Sequence, residues 1–414
     1  MEGLSVPSAN PAVGSPTLPP NRGGGVRPGR KAAQGPPNIR LAPADLVRAA
    51  ALFLVIVIHA SPWPSHATAL ANHVYSGVSL AARVSVPLFV VLSGLLLAHV
   101  HPRVDAPGRF LLRRLSRTLL PWLPWALIYF ALTVGFQGMS PVPSQDWGWW
   151  AGGAGHLFFL LLIPQLYLLY LVWPKGRRSS TVALVAAIVV QVSLQLARVV
   201  LPIHGGLGQM VLLDFGFEEA PFWVGYFALG IWLGLHPGWM ALSRRWLLLA
   251  LPATAGAFVL LLAGLPGRIA TNWGPWVHGT GAFLRPSLLL LTALVFWDLW
   301  LAGPTLIAWG GPRLDSSVRS LSRHALGIYI IHPVLLLGLG PLLEILPGPL
   351  SLQQPLPGSL LPISVMVFGA LGFGWLGTRA LVVSRLTAWS VGEGASPWRL
   401  ACPGSGPATG QFRN

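Results

Sequence analysis

The sequence predicts an all-α, polytopic integral membrane protein of about ten transmembrane helices with both termini in the cytoplasm, and three observations carry that prediction. Hydrophobic residues make up 53% of the 414 residues and charged residues only 9%, with a mean hydropathy of +0.64. A soluble domain ordinarily carries about 25% charged residues, so composition excludes an ordinary soluble enzyme. The apolar residues are also gathered into runs. A spanning helix needs about 20 predominantly apolar residues, and ten such stretches lie at 44–63, 79–100, 119–136, 156–173, 180–200, 219–236, 246–265, 281–302, 322–340 and 360–383. The third observation is where the arginines fall.

The net charge of +16 would suit nucleic acid if it formed a patch on a soluble module. Instead the basic residues occupy alternate connections, among them Arg103 to Arg117, Lys175 to Arg178, Arg244 with Arg245, and Arg313 to Arg323, while the connections between are nearly free of them, Arg268 excepted. That is the positive-inside asymmetry of an even number of spans. Residues 1–38, rich in Pro, Gly, Ser and Ala, read as a disordered cytoplasmic tail, and residues 386–414 as a second. The N-terminal stretch has no apolar core and is not read as a signal peptide. Cys402 is the single cysteine, so no intrachain disulfide or cysteine metal cluster is expected.

Along the first span, Arg48 and His59 are eleven positions apart. At about 100° per residue this returns them to nearly one face, roughly 16 Å apart along the axis. Asp45, three residues before Arg48, shares that face and can pair with it. Ionisable groups inside a span are costly and normally face a protein interior or a watered cavity. The plainer reading of His59 is a histidine near the outer interface, hydrogen-bonded to a neighbouring helix.

The second span opens with Arg83 and carries Ser93 and Gly94, small residues that allow close helix approach. Before the third span, "GRFLLRRLSRTLLPW" spaces Arg109, Arg113 and Arg117 at i, i+4 and i+8, with Arg114 beside them. This basic ridge either anchors the helix by charge alone or docks an anionic phosphate ligand, which guanidinium forks suit. His156 starts the fourth span from the outside, where an interfacial position suffices to explain it. Arg285 and Asp298 in the eighth span are thirteen residues apart, point to opposite faces and should each find another partner. In the ninth, "RHALGIYIIHP" puts Tyr329 and His332 on one face, and Pro333 then removes a backbone donor. Tyr and His at this spacing also serve as interhelical hydrogen-bonders. The outer-loop residues Trp147, Trp149, Trp150, Trp273 and Trp276 suit either sugar stacking or an interfacial aromatic belt. No P-loop, HExxH or GxSxG element occurs, which argues against ATP-driven transport, zinc proteolysis and the α/β-hydrolase serine mechanism.

Over about residues 40–385 the chain resembles the integral-membrane acyltransferase-3 family. The likeness lies in the order of its motifs: Asp45, Arg48 and His59, then "VPLFVVLSGLLL", then "FLLRRLSRTLLPW", and finally "GIYIIHP". "ARVSVPLF" and "FWVGYFALGIWLG" look like the branch that O-acetylates common-antigen or exopolysaccharide chains. The sequence departs from the family pattern in carrying "FV" before the second-span Ser-Gly and no glycine beside Arg48. The resemblance implies a membrane-bound O-acyltransferase that moves an acyl group, usually acetyl, from cytoplasmic acyl-CoA to a hydroxyl of a surface polysaccharide or lipid-linked saccharide, in a bacterial plasma membrane. It further implies catalytic roles for His59, Arg48 and Asp45, with His59 as general base. Donor binding would fall to Arg113, Arg114, Arg117 and Arg83, and Tyr329 and His332 would lie on the acceptor side. No metal and no bound cofactor are expected; acetyl-CoA or another acyl-CoA is a substrate. The competing reading is an exporter or flippase of a polysaccharide or lipid-linked sugar without acyl transfer.

Overall fold

A computed structural model of the chain describes residues 41–66, 68–137, 155–200, 219–263 and 283–393. Among these there is no strand. Eleven helices follow one another: α1 Ala42–Ala60, α2 Ala69–Ala82, α3 Ser85–Val100, α4 Pro107–Gln137, α5 Phe158–Val172, α6 Arg177–Val200, α7 Val224–Leu235, α8 Leu247–Ala263, α9 Pro286–Arg323, α10 Ala325–Ile345 and α11 Leu360–Val383. Each expected apolar stretch overlaps at least one of them, and the stretch 79–100 takes in the end of α2 and all of α3. Seven helical stretches are long and apolar enough to cross a membrane, and α5 and α7 are shorter apolar helices; the chain is a multi-pass membrane protein.

The interval 64–78, expected as an outer loop, instead contains most of α2. Thr68 accepts from the Ala71 amide at 3.0 Å, an N-cap that satisfies one orphan donor. Ala71, Tyr75, Ser79, Leu80 and Ala82 then turn inward at the three-to-four spacing of an amphipathic helix. Arg83 ends α2, so α2 and α3 form one nearly continuous stretch, 78% of whose most apolar window is buried. The same figure is 22% for α6 and 17% for α8, so α3 is central and those two are peripheral, presenting Val182, Val185, Val189, Leu248 and Leu251 outward as lipid-facing helices do.

Two features position the interior. First, α3 and α7 meet backbone to backbone: a Cβ at Gly94 would strike the Phe227 carbonyl and one at Gly230 the Val91 carbonyl, so Gly94 of the second span does serve close packing. Second, α1 is surrounded, packing on α2, α3, α9, α10 and α11. Pro43 in its first turn and Asp45 behind it suit a helix start, where the proline lacks only an orphan donor and the carboxylate meets the positive end of the dipole.

Helix α9 continues well past the expected end at 302. It breaks at Gly311, whose φ of 66° glycine adopts without a side-chain clash, and its last turns carry Arg313, Arg319 and Arg323. Arg319 pairs with Asp315 at 2.9 Å. Of the expected C-terminal tail, residues 386–393 are described, and they fold back as a hook. Trp125 of α4 donates to the Ser390 carbonyl at 2.9 Å, and Glu393 meets His324 Nδ1, between α9 and α10, at 2.9 Å. Residues 1–40 and 394–414, the five loop tryptophans, Arg268 and Cys402 lie outside the described residues.

Candidate active site

The end of α1, the turn before α5, the middle of α10 and the inner face of α4 bring together the rings of His59, His156, His332, Tyr329 and Tyr129. The His59 ring centroid lies 5.2 Å from that of His332 and 6.2 Å from that of His156, and His156 lies 5.7 Å from both His332 and Tyr329. Tyr129 stands edge-on to His156 at 4.6 Å. His332 is wholly buried and Tyr329 nearly so, whereas His59 is accessible, so the group is closed behind and reached at His59. Backbone carbonyls hold the surrounding side chains: Tyr129 donates to Ile330 at 2.6 Å, Tyr329 donates to His156, and His332 Nδ1 donates to Tyr329 at 2.7 Å. Among the described residues, the Nε2 atoms of His156 and His332 are buried without a hydrogen-bond partner. The arrangement offers lone pairs, as an alcohol or a proton in transit requires.

His156 is therefore not merely interfacial. It sits inside the ring cluster, and no spacing in the sequence points to it, because its ring neighbours His59, Tyr129, Tyr329 and His332 all come from other helices.

Arg48 and Asp45 share the inward stripe of α1, but Arg48 Nη1 and Asp45 Oδ1 are 4.0 Å apart. Ser322, near the end of α9, joins them: Arg48 Nη1 donates to its hydroxyl at 2.9 Å, and that hydroxyl donates to Asp45 Oδ1 at 2.7 Å. Arg83 is buried, with its guanidinium 4.6 Å above the Phe283 ring and within electrostatic range of His59. It stands at the opposite end of α3 from the arginine ridge, so Arg83 meets the histidine end of the site and not the ridge.

The ridge divides. Arg109, Arg113 and Arg117 are exposed, beside the outward-facing Leu112 and Leu119. Arg114 turns inward, its guanidinium 5.2 Å from the Phe110 centroid and 5.4 Å from that of Tyr167. Tyr170 adjoins, 6.3 Å from Phe110, and Lys175 lies 3.3 Å from the Tyr170 centroid while donating to its carbonyl at 2.6 Å. His101 packs edge-on against Phe110 at 5.8 Å. Burial, and then the charges of Arg114 and Arg113, push the His101 pKa down, and burial lowers that of Lys175 to about 8. Arg114, Arg113 and the partly buried Lys175 gather positive charge beside the Phe110, Tyr167 and Tyr170 rings, which makes a receptive site for an anion. The sequence pattern showed the arginines; the inward turn of Arg114 and the recruitment of Lys175 and His101 depend on α4 packing against α5 beside the end of α3.

Arg285 and Asp298 do not pair with each other, and both find partners on α8: Arg285 donates to the Leu261 carbonyl at 3.3 Å, and Asp298 accepts from Thr254 at 2.6 Å.

An all-helical membrane body with a buried cluster of imidazoles and phenols, and a separate cationic cup at the far end of the same helices, defines a multi-pass membrane protein with a polar site inside its span. A family model described as an acyltransferase domain matches residues 43–379. That match takes in most of the chain, which belongs to the acyltransferase-3 family and is an acyltransferase. No curated protein and no solved structure matches it.

Proposed function

We propose that the protein is a membrane-bound O-acyltransferase that moves an acyl group, acetyl in the simplest case, from cytoplasmic acyl-CoA to a hydroxyl of a cell-surface polysaccharide or lipid-linked saccharide, in a bacterial plasma membrane. One observation carries this reading: the accessible His59, flanked by buried imidazoles, shares helix α1 with Arg48, roughly 16 Å away, and the cationic cup around Arg114 lies at the arginine-rich end of the fold. The positive-inside pattern puts that end, and both termini, in the cytoplasm.

An alcohol is a poor nucleophile near neutral pH, and an imidazole of ordinary pKa about 6.5 can remove its proton as it attacks a thioester. His59 is that base. Arg114, with Arg113 and Lys175 beside it and Arg117 two turns along from Arg109 on the exposed stripe, receives the phosphates of the donor, since guanidinium forks match phosphate oxygens. Arg48, held by Asp45 through Ser322, guides the donor inward. Arg83 stands near enough to His59 to stabilise the oxyanion of the tetrahedral intermediate. Tyr329 and His332 close the acceptor side.

Calorimetric titration of acetyl-CoA into the purified protein, beside Arg113→Ala and Arg114→Ala, tests the reading. Saturable binding weakened in both variants is expected. Folded protein that binds neither acetyl-, succinyl- nor free coenzyme A would favour the exporter instead.

A further inference from the structure

The two ring nitrogens of His332 have different fates. Nδ1 lies 2.7 Å from the Tyr329 carbonyl oxygen, which has no hydrogen to give, so Nδ1 carries the ring proton and Nε2 presents a lone pair. Among the described residues that Nε2 has no hydrogen-bond partner, although it is buried. A buried acceptor without a donor is costly, and unpartnered groups of this kind gather where a reaction supplies the partner. His59 is the closest ring, at 5.2 Å between centroids and 50° between planes. Two imidazoles joined by one N–H···N bond of about 3 Å have centroids roughly 5 Å apart. The His59 and His332 rings therefore already stand at the separation of such a bond.

Charge gives that bond its importance. On taking a proton, His59 becomes a cation in a group closed to water on one side. The charge that acts on it is that of Arg83, another cation, and the rings packed on it, His156 and His332, offer lone pairs but no carboxylate.

We propose that His332 is the positioning residue behind His59. Its Nε2 accepts the N–H of His59, which leaves the other His59 nitrogen free to take the acceptor's proton and spreads the positive charge that results. In a catalytic triad a carboxylate orients the histidine; here a second imidazole, itself fixed by a backbone carbonyl, takes that place. The inference rests on the acyl-transfer reading. In that reaction the acceptor O–H bond breaks and its proton goes to His59. A C–O bond forms at the acyl carbon, the C–S bond breaks, and His59 passes the proton to the departing thiolate. His332 neither gains nor loses a proton.

The test uses the full chain in lipid nanodiscs, with radiolabelled acetyl-CoA as donor and the saccharide fraction of the source cell envelope as acceptor, and compares His332→Phe, His332→Gln and His59→Ala. His332→Phe should lower kcat about 30-fold or more while the KM for acetyl-CoA and the half-saturating amount of acceptor stay within about twofold. His332→Gln, whose side-chain oxygen accepts the same hydrogen bond, should recover most of that loss. Equal losses in the two variants, or a loss confined to acceptor saturation, would overturn the role of His332 and leave the acyl-transfer reading standing. Undiminished transfer by His59→Ala would overturn the reading itself. A second measurement needs no variant of His332: nitrogen-15 NMR of histidine-labelled protein should show an imidazole protonated at Nδ1 and bare at Nε2, whose Nε2 signal moves in His59→Ala. If every neutral imidazole proves protonated at Nε2, the proposal fails.

Discussion

Asp45 and Arg48 lie one turn apart on α1 yet communicate through a third residue. Arg48 Nη1 and Asp45 Oδ1 are 4.0 Å apart, and the Ser322 hydroxyl accepts from Arg48 at 2.9 Å and donates to Asp45 at 2.7 Å. A hydroxyl that both donates and accepts in one line holds the arginine more tightly than the long ion pair does, because each link is charge-assisted. It also ties α1 to the end of α9. Replacing Ser322 by alanine removes both links at once and should lower kcat/KM for acetyl transfer about tenfold, since a hydrogen bond to a charged group contributes about 1.5–3 kcal/mol. Asp45→Asn, which keeps an acceptor for the serine, should do less harm than Asp45→Ala. Initial rates over a range of acetyl-CoA concentrations decide both comparisons.

General-base removal is the sharpest expectation for His59. Its ring makes no hydrogen bond among the described residues and is accessible, so His59→Ala should leave the fold and the cationic cup intact. Transfer should fall about 10²- to 10⁴-fold, the usual contribution of a positioned acid or base, with acetyl-CoA affinity by calorimetry unchanged. Loss of binding and rate together would place His59 in donor binding instead.

How far the site could be read in advance follows from how its residues are linked. Asp45, Arg48 and His59 were legible because one helix carries all three, and helical period alone places them on one face. The α3–α7 contact was half legible: Gly94 signalled close approach, but Gly230 as its partner did not follow from any spacing. His156, Tyr129 and Ser322 were hidden for a different reason. Each joins the site through a neighbour on another helix, so its role depends on tertiary pairing. Helix α2 was missed because Asn72, His73, Ser76 and Ser79 break the apolar run that marks a span, although Ala71, Tyr75, Ser79 and Leu80 still form a buried stripe. The hook at 386–393 was masked by its Gly- and Ser-rich continuation.

The glycines between α3 and α7 make a stability prediction that is independent of function. A methyl group at Gly230 would run into the Val91 carbonyl, whereas at Gly77 it would meet nothing within 4 Å. Overpacking of this kind costs about 1–3 kcal/mol. Gly230→Ala should therefore lower the thermal unfolding midpoint in detergent clearly, and Gly77→Ala should leave it unchanged or raise it slightly, since alanine is the better helix former. Similar midpoints for both variants would mean that α3 and α7 separate more easily than their backbone contact implies.

Lys175 gives the site a pH signature. Burial lowers its pKa to about 8, so about nine-tenths of the ammonium groups are charged at pH 7 and about one-tenth at pH 9. If Lys175 helps to hold the phosphates of the donor, affinity for acetyl-CoA should weaken up to about tenfold across that interval, the effect of losing one charged contact. Unfolding driven by this group cannot mimic the effect. Its pKa is lower in the folded protein than the ordinary lysine value of about 10.4, so the unfolded chain binds the proton more tightly, and stability rises with pH from about 8 toward 10. Weaker binding in that range would therefore come from a protein that this lysine is making more stable. Lys175→Arg keeps its charge throughout and should bind acetyl-CoA with a flat profile from pH 7 to 9. Calorimetry at four or five pH values on the two proteins is sufficient: a slope in the lysine form that disappears in the arginine form puts Lys175 in contact with the donor, and parallel profiles place it outside the donor site, as a structural brace on Tyr170.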